Sequence, residues 1–172
     1  MTLQRAFLWA WIGGLVLFAV VIAISMPLVL TAVPNGIMDH QAAGTAAEVN
    51  RIQAAWSSAG LIDHAAIAMA GDLLFIGVYG AGCVMGGIWL RQHHDRRVRL
   101  LGTTALIAGI TFLVTDYAET ISQIVQLVRF SGDDTLAGVA AKVRPIKVAA
   151  WIAATLAIAL ALLIGRKSPS RT

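Results

Sequence analysis

Apolar residues fall into four long runs separated by stretches in which polar residues take over. The runs cover Phe7 to Leu30, roughly Ala65 to Leu90, Leu100 to about Tyr117, and Lys147 to Ile164. A helix rises about 1.5 Å per residue and needs about 20 apolar residues to cross a hydrocarbon core roughly 30 Å thick, so each run predicts a transmembrane helix. The first follows Arg5 as a signal peptide would, but it runs far beyond the roughly 7 to 15 apolar residues of a cleaved signal and is read as a retained helix.

Two connections carry helical patterns of their own. Thr45 and Glu48 form a capping box, after which Val49, Ile52, Trp56 and Ala59 recur on one face until Gly60. This predicts a helix over about 45–59, either lying in the membrane interface or packed across the bundle's outer ends. Past Tyr117 the residues Ile121, Ile124, Val125 and Val128 keep the helical period, which predicts one helix over 100–130. Such a helix would be about 46 Å long and would project beyond the bilayer core. Ser131 to Asp134 then supply a turn, and the chain returns through Pro145 to the fourth span. Pro27 is placed to kink the first helix near its outer end. The expected fold is an all-α integral membrane protein in one domain, 1–172. Four transmembrane helices form an antiparallel bundle, with an additional outer-side helix and an extended third helix.

Composition agrees with this pattern and removes the alternatives. Of 172 residues, 58% are hydrophobic and 13% charged, and the mean hydropathy is +0.78. A soluble domain needs about twice that share of charge on its surface, and a disordered chain needs fewer apolar residues. The pI near 9.8 is explained by how the basic residues are distributed. Arg5, Arg91, Arg96, Arg97, Arg99, Arg166, Lys167 and Arg171 share one side with a single acid, Asp95, whereas the other side holds five basic and eight acidic residues. Basic residues are retained in the cytoplasm, so both termini are expected inside, in a prokaryotic inner membrane, with anionic lipid as the cytoplasmic partner and no nucleic acid. Cys83 is the lone cysteine and forms no intramolecular disulfide.

Measured in residues from the cytoplasmic ends of their helices, Asp72, Asp116, Glu119 and Lys147 all rise to about 24–28 Å, one common layer. Asp72 and Tyr79 lie on one helical face, and Cys83 continues it inward. Asp116, Glu119, Gln123 and Gln126 follow i, i+3, i+7 and i+10 on the third helix, opposite its apolar stripe. Facing stripes would enclose a pocket lined by Asp72, Tyr79, Asp116, Tyr117, Glu119, Gln123 and Lys147. The competing reading is a set of interfacial charges, or a salt bridge that only glues helices. His40 and His64 are the histidines that a metal site would use, but no histidine pair has ligand spacing, and no cofactor is expected. Gly82 and Gly86 permit close helix approach, through packing within the bundle or through a homodimer. Asp63 is expected to cap the second helix, and Trp9, Trp11, Trp89 and Trp151 to anchor span ends.

No phosphate loop, nucleophile elbow, zinc-protease helix or dinucleotide fingerprint occurs. The first functional expectation is a binding, transport or accessory protein whose outward acidic pocket holds a cation, a proton or a small polar ligand. The second is a membrane enzyme acting on a lipid or isoprenoid, with Asp72 or Asp116 as general acid and Glu119 as base. The third is a structural subunit of a membrane complex. Pocket shape discriminates between the first two: a closed polar cup suits the first, and an apolar groove opening to lipid suits the second.

Overall fold

The computed structural model describes residues 2–167, so Arg171 of the basic tail lies outside the described residues. Six helices follow one another: α1 (Leu3–Ser25), α2 (Ile37–Ala42), α3 (Ala46–Ser58), α4 (Ile62–Leu90), α5 (Arg96–Arg129) and α6 (Asp134–Lys167). Four of them, α1, α4, α5 and α6, are long and apolar enough to cross a membrane. Their outward faces carry Val16, Ile107, Val114, Leu156 and Leu163, all exposed, as expected where the solvent is hydrocarbon.

Several boundaries differ from the sequence reading for local reasons. Pro27 ends α1 instead of kinking it, because the chain tightens into a 3₁₀ turn at Met26–Leu28. The α2 helix has too few residues to show a period, and it is set between Gly36 and Gly44, both at positive φ (58° and 69°). Gly60, at φ 71°, closes α3 in a Schellman motif, with Leu61 N–H donating to the Trp56 carbonyl and Gly60 N–H to that of Ser57. That motif runs directly into α4, so Leu61 takes the cap position and Asp63 falls inside the first turn. The last helix starts at Asp134, well before Lys147, since the Asp133 carboxylate caps the amides of Thr135 and Leu136 at 2.9 Å each. Pro145 is accommodated inside it.

The long helices pack in the order α1, α4, α5, α6, each antiparallel to the next, and glycines set the close approaches. A β-carbon on Gly14 would lie 2.6 Å from Tyr79 Cα, and one on Gly82 would lie 2.6 Å from Trp11 N. Gly86 faces the Phe7 ring, and Gly87 meets the backbone of Leu106. Gly82 and Gly86 are therefore used within the chain. By contrast α1 and α6 share no extended contact; Phe18 against Trp151 (ring centroids 5.3 Å) bridges them. Trp151 is consequently an interior residue and not a span-end anchor.

At the end of the bundle opposite the termini, α2 and α3 form a cap. Trp56 is fully buried, donates Nε1–H to the Leu28 carbonyl (3.0 Å) and stacks on His40 (5.4 Å). Asp134 accepts the Ala46 amide (2.7 Å), and Asn50 accepts that of Gly132 (2.6 Å), tying α3 to the α5–α6 turn. Thr45 caps α3 as the pattern implies (3.3 Å), but Glu48 pairs with Arg51 instead of closing the capping box.

Burial pushes the His40 imidazole down to about 4, so the folded state holds it neutral where an unfolded chain binds a proton near 6.5. Its contribution is complete above 6.5 and is lost as pH falls toward 4, amounting to about 3 kcal/mol. Melting curves in detergent should show this acid loss, and His40→Gln should flatten it between those two pH values. An unchanged profile in the variant would assign the acid loss to other groups.

Candidate functional site

Lys147 and Asp116 come from α6 and α5 and meet because antiparallel helices of equal rise keep residues of one depth level. Lys147 Nζ donates to Asp116 Oδ1 at 2.7 Å and also pairs with Glu119, one turn along α5. The Asp116 and Glu119 side chains are 3% and 0% exposed, so the three side chains form an ion triad buried inside the protein. Asp72 joins from α4, where its Oδ2 accepts the Thr120 hydroxyl at 3.0 Å. Among the described residues no cation pairs with Asp72, since the ion pairs of Lys147 are with Asp116 and Glu119.

The polar stripe continues along α5. Gln123 and Gln126 are buried, while Ile121 and Val128 on the opposite face are 51% and 78% exposed, so beyond Asp116 this helix turns a largely polar face inward and an apolar one outward. Behind the triad, Gln53 Nε2 lies 3.4 Å from His40 Nε2, and His40 Nδ1, Gln53 Oε1 and Gln123 Nε2 find no partner.

A cavity of about 440 Å³ opens between α1 and α6 and reaches this network. Asp72, Asp116 and Lys147 stand on its inner wall. Phe18, Phe75, Phe112 and Trp151 line one depth of it, with successive ring centroids 5.1 Å (Phe18 to Phe75), 5.3 Å (Phe18 to Trp151) and 5.8 Å (Phe75 to Phe112). Ile22, Met26, Met38 and Val148 form an apolar rim that is itself exposed, joined by Asn35, Gln41 and Arg144. The space is a mainly apolar groove, not a closed polar cup.

Other expected site residues lie elsewhere. Tyr79 is fully buried beneath the groove's rings and does not line it, its hydroxyl 2.7 Å from Thr155 Oγ1 and donating to the Trp151 carbonyl (3.3 Å). Tyr117 donates to the Leu73 carbonyl (3.3 Å) and covers Gly77. Glu119 and Gln123 sit behind the lining and do not form part of it. Cys83 is buried among apolar residues below Tyr79. His64 donates Nε2–H to the Ile24 carbonyl (2.5 Å), and His40 is held by the cap, so the two histidines serve separate contacts. Among the described residues no group of three histidine, cysteine or acidic side chains is disposed to hold a metal ion. The sequence reading missed the four aromatic groove residues, Thr120 and Arg144. Thr120 had a signal, lying four residues from Asp116 on the polar stripe.

Comparisons with protein-family models, with curated proteins and with solved structures find no match. What fold and composition define is a class: four helices with the length and apolarity of a multi-pass membrane protein.

Proposed function

We propose that this protein binds an amphiphilic molecule drawn sideways from the bilayer, its apolar part lying in the groove between α1 and α6 and its polar part meeting Asp72, Asp116 and Lys147. The observation that carries this reading is the groove itself: apolar walls, an exposed apolar rim and charged groups at one depth. A volume of about 440 Å³ falls within the range of small-molecule sites. The separation of basic and acidic residues along the chain supports termini facing the cytoplasm, and on that reading the groove belongs to the outer half of an inner membrane.

An apolar groove also suits the enzyme reading, in which a lipid or isoprenoid meets paired carboxylates. Binding is favoured because Glu119, the base that reading requires, is fully buried, paired with Lys147 and absent from the groove lining. A general base has to reach the proton it removes.

The test is photolabelling in nanodiscs with an alkyl amphiphile bearing a diazirine, read by peptide mass spectrometry. Wild type should be labelled at Phe18, Met26 and Trp151 as well as on its outer faces. Filling the mouth with Ile22→Trp and Val148→Trp should cut groove labelling about tenfold, the effect of losing roughly 1.4 kcal/mol of affinity, while labelling of Val114 and Leu160 continues. Equal groove labelling in the filled variant would refute lateral entry.

A further inference from the structure

Resting on the groove reading above, the geometry points to a specific headgroup: we infer that the amphiphile is an organic cation, an ammonium-type group seated between the Asp72 carboxylate and the aromatic rings of the groove. Three observations converge on it. Lys147 is held by Asp116 and Glu119, and both of those carboxylates are almost wholly buried. The remaining carboxylate, Asp72, lines the groove with the Thr120 hydroxyl bonded to it and no ion pair among the described residues; of the two cations in the lining, Lys147 is already paired and Arg144 stands at the rim, against three carboxyl groups in the network. Asp72 is half-buried, and an anion without an ion-pair partner in a low-dielectric surrounding is costly, so a ligand that supplies positive charge lowers that cost.

The rings give the second half of the recognition. Phe18, Phe75, Phe112 and Trp151 lie beside the carboxylates in the same cavity. Aromatic faces attract a cation through the ring quadrupole, most strongly when water is excluded, and they accept alkyl substituents that carboxylates alone would not. A hydrated metal ion has no use for such walls, and an anionic headgroup would face Asp72 and Asp116 directly. Arg144 also lines the groove, at the rim beside Asn35 and Gln41 and less than one turn before Lys147 on α6.

The experiment compares three photoreactive amphiphiles of equal chain length in zwitterionic nanodiscs, headed by trimethylammonium, hydroxyl and sulfate, each corrected for its partition into the bilayer. Wild type should bind the ammonium probe in the groove about tenfold or more tightly than the hydroxyl probe, with the sulfate probe weakest. Asp72→Asn should bring the ammonium-to-hydroxyl preference close to one, and Asp72→Glu should restore it. Replacing Phe75 and Phe112 together by Leu should reduce the same preference without reversing it. Equal groove labelling by all three probes would leave lateral entry standing and overturn the cation assignment, as would a preference for sulfate or one indifferent to Asp72→Asn. Absence of groove labelling by every probe would instead overturn the reading on which the assignment rests.

Discussion

Replacing Lys147 by Met should destabilise the protein by about 3–5 kcal/mol, the usual cost of removing one partner from a buried ion pair. The magnitude follows from what is left behind. Asp116 and Glu119, 3% and 0% exposed, would face each other without the Nζ that both now contact, and no other cation pairs with them among the described residues. Unfolding in detergent should show the loss. Because the cost comes from stranded carboxylates and not from a missing methylene, adding Asp116→Asn and Glu119→Gln to the Lys147→Met variant should recover most of it. If the triple variant is as unstable as the single one, Lys147 contributes through packing and the electrostatic account is wrong.

The second large effect separates two neighbouring glycines. Gly14→Ala brings a β-carbon to 2.6 Å from Tyr79 Cα and Cβ and 2.9 Å from its nitrogen, atoms that cannot withdraw without moving α4. Gly13, one position earlier on the same helix, has nothing within 4 Å of such a carbon. Gly14→Ala should therefore cost about 3 kcal/mol, the upper end of the range for overpacking. Gly13→Ala should be neutral, or stabilise by up to about 1 kcal/mol through reduced backbone freedom. Comparable losses at both positions would mean that the effect is one of glycine content and not of the α1–α4 seam. Since Tyr79 lies beneath the groove's aromatic residues, the Gly14 variant should also weaken amphiphile labelling.

Depth was the part of the site that the sequence could express. Counting helical rise from the cytoplasmic ends set Asp116 level with Lys147, and the two touch at 2.7 Å. The period of Asp116, Glu119, Gln123 and Gln126 likewise announced a polar face, because only one face of that helix avoids apolar residues. Rotation was much less legible. Asp72 and Tyr79 share a helical face, yet Asp72 lines the groove while Tyr79 is covered by neighbouring helices. The groove's aromatic wall was the least legible part. In a membrane helix an apolar side chain suits lipid, a helix neighbour or a cavity equally, so Phe18, Phe75, Phe112 and Trp151 carry no pattern that separates these settings. Trp151 was misplaced for a related reason: the fourth helix starts at Asp134, which puts this residue far from either end. The α2 helix stayed hidden because a helix from Ile37 to Ala42 is shorter than two turns.

The attachment of α1 decides which wall of the groove can yield. Near the cap the chain is pinned by polar bonds, His64 to the Ile24 carbonyl and Trp56 to that of Leu28, and farther down glycine contacts lock it against α4 as far as Phe7, whereas it meets α6 through Phe18 on Trp151. Any widening of the space therefore has to begin where those two rings part, with the doubly fastened flank keeping its dimensions.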